Sequence, residues 1–96
     1  MTQYTGQPLG YSNFTPGQVA VTSAAAQLPA NKASEVVLSA PSTNTAPVFI
    51  GNSSGVTDST GLSLSPGASI TLKVANSNML WVIAAAAQTL TYAVLV

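Results

Sequence analysis

The 96-residue chain contains no cysteine and no histidine. A disulfide scaffold is excluded, and so are thiolate or imidazole metal sites. The many serines have no histidine to activate them. Charge is nearly missing too. Two basic and two acidic residues give a net charge of zero, and charged residues make up 4% of the chain, where a soluble domain carries about 25%. Two lysines cannot neutralise a run of phosphates, so nucleic acid is excluded as a partner. The same count excludes a basic membrane-surface helix. No apolar run reaches the roughly 18–20 residues that span a bilayer, and the longest, residues 79–87, is about half that. No membrane partner is expected. The opening stretch "MTQYTGQPLGYSNFTPGQ" has neither the basic nor the apolar region of a signal peptide, so synthesis in a cytoplasm without export is expected.

What is present is polar but uncharged. Ser, Thr, Asn and Gln fill about a third of the chain, well above the usual share. A chain of this length is one domain and buries roughly 60–65% of its unfolded surface. Low charge at zero net charge invites self-association. Neutral polar side chains keep part of such a surface wet, and assembly hides the rest.

Residues 1–17 are rich in Gly, Pro, Gln, Tyr and Thr and show no periodicity. They read as an extended N-terminal arm, with residues 18–96 as the folded domain. "GQVAVTS" (17–23) alternates and predicts a strand; "AAAQLPANKAS" (24–34) predicts a loop with at most one helical turn, cut short by Pro29. "EVVLSA" (35–40), "PVFIG" (47–51) and "LSL" (62–64) predict strands. So does "ASITLKV" (68–74), with Ile70, Leu72 and Val74 on one face. Pro66 and Gly67 fit the centre of a type II turn. "MLWVIAAAA" (79–87) is apolar on both faces, as a central, doubly covered strand would be, and places Trp81 in the core. "QTLTYAVLV" (88–96) predicts the last strand, with Leu90, Tyr92, Val94 and Val96 on one face. Turn signals roughly every 8–12 residues predict a small all-β antiparallel sandwich or barrel, jelly-roll-like in character. The final Val94-Leu95-Val96 carries none of the charge, proline or polar cap that guards an exposed edge. That strand is therefore expected to be central, closed into a barrel, or paired across a subunit interface.

The inventory for chemistry is close to empty. Glu35 and Asp58 are the carboxylates, and acid–base catalysis needs two on one site with separated pKa values. Lys73 sits on the outward face of an alternating strand. "GNSSG" (51–55) lacks the lysine and the helix of a phosphate-binding loop. Asp58 with Asn52 and nearby serines lacks the ordered acidic positions of a calcium loop. The sequons at Asn13 and Asn52 are taken as chance matches. No enzyme activity, no cofactor and no metal site is expected.

The segment "TNTAPVFIGNSSGVTDSTGLSLSPGASITLKVANSNMLWVIAAAAQTLTYAVLV" (43–96) resembles the C-terminal β-domain of head decoration, cement and head-fibre proteins of tailed bacteriophages. The resemblance rests on a strand like "PVFIG", a polar Gly/Ser/Thr loop, "L-x-PG-x-S-I-x-L", a short turn and an apolar strand ending in "IAAA". It implies a β-domain on the capsid exterior, in many copies, bridging major capsid protein subunits. A symmetric homo-oligomer is expected, a trimer in preference to a dimer because coat lattices offer three-fold sites. Tyr4, Tyr11 and Phe14 of the arm are the candidate capsid contacts, and Tyr92 and Leu95 the candidate subunit interface. The alternative is a host-recognition, carbohydrate-binding module of a tail or fibre, with Trp81 or the tyrosines as the stacking surface.

Overall fold

The structure is a computed structural model and describes residues 14–96. Turns divide this stretch into strands β1 (Phe14–Val21), β2 (Ala26–Gln27), β3 (Glu35–Ser39), β4 (Val48–Gly51), β5 (Leu62–Leu64), β6 (Ser69–Leu72), β7 (Trp81–Ala84) and β8 (Gln88–Leu95), with one 3-10 turn at Ser77–Met79. They form two four-stranded sheets, sheet I in the order β1-β8-β3-β6 and sheet II in the order β2-β7-β4-β5. Every pairing is antiparallel. First pairs with last, second with second-to-last, third with sixth and fourth with fifth. That nesting is a two-stranded ribbon rolled into a sandwich, the jelly-roll order.

Local chemistry sets the corners. Ser65 to Ala68 form the expected turn: the Ala68 N–H donates to the Ser65 carbonyl at 2.9 Å, and Gly67 takes a φ of +86°, where a side chain would be strained. The 3-10 turn is capped by Asn76, whose side-chain oxygen accepts from the N–H groups of Asn31 and Asn78, both at 3.0 Å. Beneath it the Ser77 hydroxyl, fully buried, donates to the Pro29 carbonyl. A polar group placed in the interior is thereby satisfied.

The core lies between the sheets. Sheet I contributes Val21, Val36, Leu38, Leu90, Tyr92 and Val94, and sheet II contributes Val48, Ile50, Leu64, Val82 and Ala84. Leu28 and Leu80 close one end, their strands' continuation marked by the Leu28 N–H on the Leu80 carbonyl at 3.0 Å. Each of the larger side chains removed from water in this way contributes about 1.5–3 kcal/mol.

Four expectations change. The first strand begins at Phe14 rather than Gly17, so residues 14–17, read above as the end of the arm, pair with Leu95 to Tyr92 of β8. Pro16 is tolerated there because, among the described residues, β1 is an edge strand with no second neighbour awaiting its N–H. Second, residues 24–34 carry β2, not a helical turn. Pairing Ala26 with Val82 and burying Leu28 outweighs the weak helix preference of three alanines. Third, the strand in 79–87 is confined to Trp81–Ala84, and Ala85 to Ala87 are exposed. Fourth, Val82 and Ala84 take its inward positions, which turns Trp81 and Ile83 to the outer face of sheet II. Trp81 is half-buried there, outside the core. The unguarded last strand is central: β8 lies between β1 and β3.

Candidate functional site

The two carboxylates do not converge. Glu35 starts β3 on the outer face of sheet I, while Asp58 lies exposed in the loop after β4 of sheet II. Among the described residues, no three His, Cys, Asp or Glu side chains gather as metal ligands, and no helix is long and apolar enough to cross a membrane.

One polar cluster is fully used by the fold. Pairing of β3 with β8 ends at Ser39 opposite Thr91, and two residues further on the register would set Pro41, which has no N–H, opposite Thr89. The Asn44 side chain replaces it: its Nδ2 donates to the Thr89 carbonyl at 2.8 Å, and its Oδ1 accepts from the Thr89 N–H at 3.0 Å. Beside it the buried Gln88 accepts from the Thr45 N–H at 2.9 Å and donates to Thr45 Oγ1 at 3.1 Å. The open hollow of about 260 Å³ at this end is lined by these same groups. Their hydrogen-bonding capacity is spent on holding the chain, so the hollow is not read as a ligand site.

The outer faces of the sheets are the remaining surfaces. A one-sided antiparallel sheet normally shows polar residues to water. Here the outer face of sheet II is largely apolar, and that of sheet I carries an apolar strip beside polar rows. On sheet II, Phe49 of β4 and Ile83 of β7 are cross-strand partners, with Trp81 one step along. The loop 52–61 folds back over them. Val56 is buried against Gly51, where an added Cβ would lie 2.5 Å from a Val56 methyl. A shallow opening of about 230 Å³ is left between Phe49, Ile83, Ala85 and Asp58.

On sheet I, the register sets out four outward rows, the last of them Ala20 opposite Thr89. Phe14, Leu95 and Glu35 form the first. Pro16, Ala93, Val37 and Thr71 form the second, and Gln18, Thr91, Ser39 and Ser69 the third. The second row crosses all four strands and is apolar up to its last member. Phe14 stands up at one margin, 59% exposed. A depression of about 130 Å³ runs along Val37, Ser39, Thr91 and Ala93.

Of the residues singled out in the sequence, Phe14 and Leu95 are brought together as direct cross-strand partners. Tyr92 faces inward at 9% exposure; its ring lies over Gly17, where an added Cβ would come within 2.5 Å of the phenol. Tyr4 and Tyr11 lie outside the described residues. Pro16, Val37 and Ala93 escaped the sequence reading. Val37 and Ala93 did carry a signal, as apolar residues at outward positions between buried neighbours. Chemically, the arrangement offers apolar area to bury against a neutral partner. The chain matches no protein-family model, no curated protein and no solved structure.

Proposed function

We propose that this chain is a non-enzymatic structural protein of a bacteriophage virion. It decorates or cements the capsid exterior by bridging major capsid protein subunits, as a symmetric homo-oligomer made in the host cytoplasm. The observation that carries the reading is apolar, almost uncharged area on the outer faces of a small sandwich: Phe49, Trp81 and Ile83 on sheet II, and the strip of Pro16, Ala93 and Val37 on sheet I. Interface cores are depleted in charge, and a contact repeated over a shell gains by avidity what each copy lacks. The resemblance of residues 43–96 to phage decoration and head-fibre domains points the same way. The test is reconstitution: purified chain is added to shells of the coat protein from the same phage and sedimented. Saturable co-sedimentation at a fixed ratio to coat protein is the expected result. A chain that stays in the supernatant at every concentration contradicts the proposal.

One observation favours a second reading. Trp81 is turned outward, flanked by Gln27 of β2, whose amide donates to the Asn78 carbonyl at 2.7 Å. An outward-turned, partly exposed indole with an amide at its border suits stacking on a sugar ring. Under this reading the chain is a carbohydrate-binding module of a tail or fibre, and binding on a glycan array disappears with Trp81→Ala.

A further inference from the structure

We infer that the outer face of sheet I is a self-complementary docking surface whose occupant is the same face of a second copy of this chain. The inference rests on the reading of the chain as an assembling structural protein and goes further by naming the surface and its symmetry.

Three observations carry it. First, alternation fails where this face needs it. Val37 lies between buried Val36 and Leu38, and Ala93 and Leu95 flank buried Val94. Together with Pro16 of β1 they form one continuous apolar strip across adjacent strands. On sheet II, by contrast, the chain's own loop covers part of the comparable strip through Val56. Second, the strip holds both a projection and a recess. Phe14 projects at one margin, and the depression along Val37, Thr91 and Ala93 exists because Ala93 is small and sits between larger neighbours. Since both lie on one face, the contact that fills both is isologous, with each copy's Phe14 directed at the other's recess. Third, the charge on the face suits a copy of itself. Register beyond Val36–Leu72 places Lys73 opposite Glu35, so one acid and one base share a corner. A second copy brings the same balanced pair, whereas a strongly acidic or basic partner finds no complement.

The experiment is sedimentation velocity on the full chain without capsid, from micromolar to millimolar concentration. Wild type is expected to sediment as a two-fold dimer. Ala93→Arg and Val37→Arg each place an unpaired charge in the buried strip, and self-association is expected to weaken by about 100-fold or more. Ser63→Arg, on the outer face of sheet II, is expected to leave the dimer intact. Circular dichroism checks that each variant is folded, and Leu95→Arg replaces either of the first two if it is not. A wild type that remains monomeric throughout, or forms a trimer, overturns the inference. So does a dimer that Ala93→Arg, Val37→Arg and Leu95→Arg leave unchanged. Co-sedimentation with coat shells is scored separately. A monomer that still binds shells sinks this inference and spares the capsid reading, with the coat subunit then the occupant of the face. A dimer through this face that ignores shells does the reverse.

Discussion

At the scale of single residues, the polar side chains of this protein act as backbone. Asn44 stands in for a strand neighbour that Pro41 cannot be, and Gln88 holds Thr45 in the same way. Gln88→Ala removes both partners of Thr45 at a buried position, and a loss of about 1–3 kcal/mol is expected, read as the shift in the urea unfolding midpoint. A change within error would mean that water replaces the amide at no cost. Gly67 makes a different demand. Its φ of +86° costs a side chain about 1–2 kcal/mol, so Gly67→Ala is expected to destabilise by that amount in the same assay, although only a Ser42 carbon at 3.9 Å stands near the added methyl. The Pro66-Gly67 turn was legible in the sequence because its chemistry is contained in two adjacent residues. The Asn44 clamp was not, since its partner lies 45 residues away.

At the scale of elements, β6 and β8 were readable because alternation has a phase. Ile70 and Leu72 against Thr71, and Leu90, Tyr92 and Val94 against Thr89, Thr91 and Ala93, tell inside from outside. The β7 stretch has no such phase. A run that is apolar on both faces reads equally well in either register, and Trp81 was assigned to the wrong side for that reason. β2 was missed because two residues are too few to show a period. The candidate surface was only partly legible: Phe14, Val37 and Ala93 are far apart in the chain and meet only once β8 lies between β1 and β3. The element scale also makes a prediction about where stability resides. Leu90, fully buried on central β8, and Leu62, 45% exposed on edge strand β5, differ by position and not by chemistry. Leu90→Ala is expected to cost about 2–5 kcal/mol, and Leu62→Ala under about 1 kcal/mol. Amide exchange measured by mass spectrometry is expected to be slowest in β8, β3, β4 and β7 and fast in β2 and β5. Rapid exchange throughout β8 would contradict its central place.

At the scale of the whole molecule, four charges in 96 residues make assembly a matter of apolar area. Binding that depends on charge weakens as salt screens it, so co-sedimentation with coat shells is expected to hold nearly constant between about 0.05 and 1 M salt. A steep loss with salt would assign the contact to charges on the coat side and contradict the account given for the apolar faces. Under the proposed function, the small sandwich, the neutral polar coating and the apolar area on its outer faces are parts of one design, a module that buries that area against neighbours. The central claim is that those neighbours are capsid subunits. Quantitative mass spectrometry of purified virions, with this chain referenced to the major capsid protein, tests it most directly. Hundreds of copies per particle are predicted; a handful of copies, or none, would contradict capsid decoration and move the protein to a tail, a fibre or outside the virion.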